Sequence, residues 1–160
     1  MRILGLDPGT ETTGFGVIEF EKGVTTLLDY GCIKTERKYS QAQRLSQIRA
    51  DLDSILKEWK PRYAAVEKLF FSKNVKTAMT VSESRGVLMQ RLQEENIWTQ
   101  EYTPNEIKMN ICGDGKAEKK SIQKMVQIIL KLKEIPTPDD AADALAIALC
   151  FSANLQFHTS

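Results

Sequence analysis

The sequence predicts an α/β fold, on three observations. Short apolar runs bounded by turn residues open the chain, and amphipathic helical patterns then alternate with further short apolar runs from residue 40 onward. The last helical pattern is apolar on nearly every side, so it needs a sheet to bury it.

The first strand is read over residues 2–6 from Ile3, Leu4 and Leu6, and Pro8-Gly9 ends it, leaving Asp7 at the strand's exit. Gly14, Phe15 and Gly16 lead into a returning strand over 15–21. Lys22-Gly23 then makes a tight turn into a third strand over 24–34, which completes an antiparallel meander. Ser40 is placed to cap a helix through residue 59, with Leu45, Ile48, Leu52, Ile55, Leu56 and Trp59 at helical spacing, and Pro61 stops it. Residues 63–66 form an uninterrupted apolar run suited to a central strand that ends in Glu67. Asn74 can cap a long helix to about residue 95, and a fifth strand follows over 97–102.

Thr103-Pro104-Asn105-Glu106 is a capping box with proline at the first helical position, so a short helix runs to Cys112, and Gly113-Asp114-Gly115 breaks it. Residues 116–133 hold six lysines against one acid, Glu118, around an apolar helical stripe, a basic face that suits a polyanion partner. Pro136 and Pro138 close that segment, and the buried final helix is read over 139–155.

Composition narrows the function classes. The chain's 160 residues fit one domain over 1–160, and its 42% hydrophobic and 27% charged residues are those of a globular protein. No apolar run approaches the roughly 20 residues needed to span a bilayer, so neither secretion nor a membrane location is expected. Cys32, Cys112 and Cys150 are odd in number and far apart, which fits three ordinary thiols in a reducing cytoplasm rather than a disulfide framework or a zinc site. The net charge of +1 is uninformative as a total. His158, the only histidine, lies in the tail and is a poor general base. Trp59 and Trp98 read as packing residues, and Gly86, in mid-helix, points to a close helix approach.

The acids carry the chemistry. Asp7 and Glu67 each end a strand, and Asp139, Asp140 and Asp143 crowd the first turn of the buried helix, where a cap explains one of them. Asp143 sits within Ala141-Ala142-Asp143-Ala144-Leu145, a costly place for a charge unless it is paired or bound to a metal. Spacing allows either Asp139 or Asp140 to share a face with Asp143. An all-oxygen carboxylate cluster suits Mg²⁺ or Mn²⁺, and a pair of such ions suits phosphoryl transfer.

Leu6-Asp7-Pro8-Gly9-Thr10 with Gly14-Phe15-Gly16, Glu67-Lys68-Leu69-Phe70-Phe71, Gly115-Lys116-Ala117-Glu118-Lys119 and Asp140-Ala141-Ala142-Asp143-Ala144-Leu145-Ala146 together resemble the RuvC Holliday-junction resolvases, in matching order over essentially the whole chain. The resemblance implies a ribonuclease-H-like fold, a mixed five-stranded sheet with helices on both faces. It implies a homodimer that cuts two opposed strands of a four-way DNA junction with Mg²⁺ (Mn²⁺ as substitute), with two ions per active site, leaving ends that can be ligated. It also implies branch-migration motor proteins, RuvA and RuvB, as partners. By the same resemblance Asp7, Glu67, Asp140 and Asp143 are the metal-binding catalytic carboxylates, which leaves Asp139 as the cap. Phe70 matches an aromatic residue that stacks on unpaired bases, Lys108 and Lys119 match lysines that handle DNA, and the helix carrying Gly86 matches one at the dimer interface.

Two other readings share parts of these motifs. Resolvase-like nucleases of ribosomal RNA maturation have the same fold, but Phe70-Phe71 and the full Asp140/Asp143 pair speak against them. Actin-like and sugar-kinase ATPases use an Asp-x-Gly-Thr turn, but need two lobes of this size. A junction-binding scaffold without cleavage would not need four intact acids.

Overall fold

The computed structural model describes residues 1–69 and 75–158. Strands β1 (Arg2–Asp7), β2 (Thr12–Glu21), β3 (Val24–Lys34), β4 (Tyr63–Glu67) and β5 (Trp98–Tyr102) form one sheet in the order β3-β2-β1-β4-β5. β1 to β3 pair antiparallel, whereas β4 runs parallel to β1 and β5 parallel to β4. The tight turn between β2 and β3 has positive φ at both Lys22 and Gly23, the geometry whose twist matches a hairpin. β2 begins three residues before its expected start. The Thr13 hydroxyl donates to Gly9 O at 2.6 Å, which compresses the turn after Asp7 and releases Thr12 and Thr13 to pair with β3.

Helices α1 (Gln41–Trp59) and α2 (Val75–Glu94) cover one face. The α1 cap is as expected, with Ser40 accepting from Gln43 N and the Gln43 side chain accepting from Ser40 N. Its end comes at Lys60, whose left-handed φ of 48° lets its N–H reach Leu56 O before Pro61 is met. Asn74, the expected cap of α2, lies outside the described residues. Helices α3 (Pro104–Cys112), α4 (Lys119–Ile129) and α5 (Asp139–His158) cover the other face. Thr103 and Glu106 form the capping box that starts α3, and Gly113 ends it in the left-handed region.

The lysine-rich segment is less helical than its spacing suggests. Asp114 accepts from Lys116 N at 2.8 Å and from Ala117 N at 3.1 Å, which holds 114–117 as a turn, and Lys131 adopts a φ of 54°, which stops any continuation. α5 runs to His158, past its expected end.

Strand alternation sorts the core into two layers. Leu4, Leu6, Val17, Ala64 and Val66 pack against Ile48, Leu52, Leu88 and Leu92 of α1 and α2. Ile3, Ile18 and Ala65 pack on the opposite side against Leu145 to Phe151 of α5. This is the mixed sheet between two helix layers that the resemblance implies. No helix among the described residues is long and apolar enough to cross a membrane.

Two minor expectations change. Trp98 is 56% exposed and touches only the rings of Tyr63 and Phe151 among the aromatic contacts of the described residues, because it begins the edge strand β5. A Cβ on Gly86 would meet nothing within 4 Å among the described residues, so the close approach expected there is not made within the described part of this protomer.

Candidate active site

The site is assembled by register. Ile3 faces the α5 layer and Leu4 and Leu6 the other, so alternation turns Asp7 toward α5; Ala65 places Glu67 on that same side. β1 pairs with β4 through Leu6 and Val66, and the next step of that parallel register sets Asp7 beside Glu67. Asp7 pairs with Gly14 on its other flank, Gly14 with Cys32, and Glu67 with Tyr102. One row across all five strands therefore reads Cys32, Gly14, Asp7, Glu67, Tyr102.

Glycines then let α5 descend onto that row. A Cβ on Gly14 would overlap the carbonyl oxygen of Asp140, and one on Gly5 would lie 2.8 Å from Ala148 N and 2.9 Å from Ala148 Cβ. Gly5 and Gly14 lie on β1 and β2, and Ala141, Ala144 and Ala148 are fully buried on the facing helix. Backbone meets backbone here, which brings the first turn of α5 over the strand ends.

Asp7, Asp140 and Asp143 each contribute one carboxylate oxygen to a cluster whose oxygens all lie within 4.8 Å of one another. Glu67 stands beside Asp7 in the parallel register, next to this three-oxygen cluster rather than within it, and its charge acts on Asp7. Burial raises Asp7 from its ordinary 3.8 to about 8, helped by the charges of Glu67, Asp143 and Asp140 and opposed by Lys119. Burial also raises Glu67, with the charge of Asp143 adding to it, and burial raises Asp143 against the hydrogen bond and charge of Lys119. Three carboxyls held up in this way form a site that favours protons or cations.

Lys119 is the internal counter-charge. Its Nζ lies 3.0 Å from Asp143 Oδ2 and 3.4 Å from Asp139 Oδ2, so this lysine, expected to handle DNA, is part of the acidic centre. Burial lowers its pKa, but the bonds and charges of Asp143 and Asp139 outweigh that and raise it. Asp139 is not the cap expected of it. It is the first residue of α5 and accepts from Gln123 Nε2 at 3.0 Å, while Pro138 O receives Ala141 N and Ala142 N. Lys108 shares a cleft with Glu67, Lys119, Asp143, Pro104 and Ile107, beside the acids. Phe70 lies outside the described residues.

Some supporting residues carry no sequence signal of their own. The Thr10 hydroxyl meets the Ser84 hydroxyl at 2.9 Å, and Thr35 Oγ1 donates to Thr10 O at 2.6 Å, so the turn after Asp7 is held from α2 and from the end of β3. Arg85 donates to Glu67 O and is ion-paired with Glu101, which steadies the end of β4. Chemically the cluster fits a hard divalent cation: every donor is a carboxylate oxygen, and no histidine or cysteine belongs to it.

Comparison with known proteins follows the same residues. The family model for crossover junction endodeoxyribonuclease RuvC matches residues 3–151. The Fusobacterium nucleatum crossover junction endodeoxyribonuclease RuvC is 47% identical over 149 residues, 93% of this chain and 78% of the relative. The Heliobacterium modesticaldum protein of the same name is 44% identical over 155 residues, 97% of this chain and 96% of the relative. Among solved structures, Thermus thermophilus RuvC in complex with Holliday junction substrate superposes with a TM-score of 0.93 at 32% identity, covering 99% of this chain and 97% of that one. The yeast mitochondrial Holliday junction resolvase, at 11% identity and a TM-score of 0.70 over 94% of this chain and 77% of its own, shares the fold. The matched span runs from β1 into α5 and so contains Asp7, Glu67, Asp140 and Asp143; this chain belongs to the RuvC family of crossover junction endodeoxyribonucleases.

Proposed function

We propose that this protein resolves four-way (Holliday) DNA junctions by metal-dependent phosphodiester hydrolysis, acting as one nuclease domain over residues 1–160. The observation that carries the reading is the convergence of Asp7, Asp140 and Asp143 oxygens within 4.8 Å, with Glu67 beside Asp7 on the neighbouring strand. Membership of the RuvC family supports it, as does the likeness to a relative solved with Holliday junction substrate. Nothing in these similarities favours the ribosomal RNA maturation reading.

Asp7, Glu67, Asp140 and Asp143 would hold Mg²⁺, with Mn²⁺ as substitute and two ions per site. Such ions supply Lewis-acid stabilisation of the attacking and leaving oxygens of an in-line displacement. The chain's own groups position the DNA. Lys119, half exposed on α4, neutralises Asp143 in the absence of cations and is placed to turn its ammonium toward a phosphate once they bind. Lys108, which lines the same cleft from α3, adds a second positive charge. Phe70 is assigned to stacking on unpaired bases at the crossover.

Two opposed cuts need two sites, so the functional unit is a homodimer. The exposed Val75 and Met79 and the open Gly86 on α2 support placing that helix at its interface. RuvA and RuvB are assigned as motor partners by family resemblance. A reducing cytoplasm is assigned from the odd number and wide spacing of Cys32, Cys112 and Cys150. Incubation with a labelled synthetic junction, with and without Mg²⁺, tests the function: paired nicks only with metal support it, and intact junction under both conditions rejects it.

A further inference from the structure

We infer that a second recess, behind the turn that follows Asp7, binds a backbone phosphate of the DNA strand being cut, with Arg37 and Arg44 as its ligands. The inference rests on the junction-cleaving reading above. The recess is walled by Gly9, Thr10 and Thr12 of the β1–β2 turn, by the two arginines, and by Thr80 of α2.

Arg44 makes the recess unusual. Its Nε donates to Thr35 Oγ1 at 2.9 Å, which anchors the head group, yet its buried Nη2 finds no hydrogen-bond partner among the described residues. A buried cationic donor without an acceptor is unfavourable, and native proteins supply such groups with a partner. Arg44 also lines the recess, so an acceptor seated there would complete it once the head group turns its solvent-closed Nη2 toward the ligand, and guanidinium with phosphate is a pairing of strong, charge-assisted bonds.

Arg37 adds the second charge. Its side chain is 83% exposed and its partner is Glu11, itself about half exposed. With no phosphate bound, Glu11 occupies Arg37; with one bound, Glu11 can swing into solvent and leave the guanidinium to the ligand. The carboxylate thus competes with an anion for this site, which gives the test a sign.

Location selects the ligand. Gly9 and Thr10 follow Asp7 by two and three residues, and a chain of that length spans at most about 10 Å. A single DNA strand advances about 3.4 Å per nucleotide, so a strand whose scissile phosphate lies at the acids can reach the Gly9–Thr10 wall of this recess within about three nucleotides.

The test pairs protein variants with single neutral linkages. Four-way junctions are made with one methylphosphonate at each of the three linkages on either side of the cut. Single-turnover cutting in Mg²⁺ is then measured at sub-saturating enzyme. Wild type should lose about tenfold at one non-scissile linkage, the scale of one charged hydrogen bond. Arg37→Gln and Arg44→Gln should cut the unmodified junction more slowly and lose less than about twofold at that same linkage, because the contact is already gone. Glu11→Gln should cut the unmodified junction faster. Arg37→Gln alone keeps the test sound if Arg44→Gln disturbs Thr35. Wild type indifferent to every neutral linkage, or variants as sensitive as wild type, overturns the site while leaving junction cleavage intact. Failure of wild type to cut any unmodified junction overturns the junction reading and this site with it.

Discussion

The α-carbon of Gly14 lies so close to the carbonyl oxygen of Asp140 that a single added methyl group would overlap it. Asp7 is Gly14's partner in the antiparallel ladder, so this contact sets how far Asp140 stands from Asp7. Gly14→Ala should push the first turn of α5 off the sheet, destabilise the fold by about 1–3 kcal/mol, and remove junction cleavage at temperatures where the variant is still folded. Thermal melts and cleavage assays side by side check this. A variant that melts and cuts like wild type would show that α5 is not seated by this contact.

Gly86 offers the opposite case. Its added Cβ meets nothing among the described residues, so in an isolated protomer Gly86→Ala should stabilise α2 by up to about 1 kcal/mol through helix propensity. If α2 forms the dimer interface, the same change should raise the dimer dissociation constant in sedimentation experiments. An unchanged dissociation constant would move the interface away from Gly86.

Metal-free stability should fall with rising pH. Asp7 is raised from 3.8 to about 8, so the folded protein holds a proton that the unfolded chain releases near pH 4. That contribution is fully present below about pH 4 and is lost as pH rises through about 8; the raised Glu67 and Asp143 act in the same direction. Asp7→Asn should therefore raise the melting temperature in chelator at pH 8, with the gain shrinking toward pH 4, while abolishing cleavage. Adding Mg²⁺ should stabilise wild type more than this variant. A lower melting temperature for Asp7→Asn at pH 8 would contradict the repulsive site.

Phe70 and Lys119 should leave different signatures on junction binding. Base stacking is worth about 1–3 kcal/mol, whereas one lysine-phosphate contact adds roughly 0.9 to the slope of log affinity against log salt. Phe70→Ala should impair cutting with an unchanged slope, and Lys119→Ala should weaken binding with a shallower one. Since Lys119 also neutralises Asp143, its loss should further lower metal-free stability at pH 8.

Much of this was legible because local chemistry agreed with the global fold. The Ser40 cap and the Thr103-Glu106 capping box announce two helices, the short apolar run of Ile3, Leu4 and Leu6 announces a buried strand, and acids at strand ends or within an apolar helix announce the site. What stayed hidden depends on residues distant in sequence. Gly5 and Gly14 look like ordinary strand and turn glycines until α5 lies on them. Lys119 reads as a surface lysine on a basic face until Asp143 is beside it. Arg44 belongs to a polar helix face, and only the turn after Asp7, packed above it, makes its Nη2 a buried orphan. The lysine-rich helix was read too long because an aspartate turn and a left-handed lysine override the apolar period.

The most direct measurement follows a labelled four-way junction in Mg²⁺, Mn²⁺, Ca²⁺ and chelator. A hard all-carboxylate site should accept Mg²⁺ and Mn²⁺, while Ca²⁺, with ligands at about 2.3–2.6 Å against about 2.0–2.1 Å for Mg²⁺, should hold the junction but misplace the reacting oxygens. The expected result is two opposed nicks in Mg²⁺ or Mn²⁺, retained complex without nicks in Ca²⁺, and no nicks in chelator. Robust cutting in chelator, or tight binding with no cutting in any divalent metal, would contradict metal-dependent hydrolysis at Asp7, Glu67, Asp140 and Asp143.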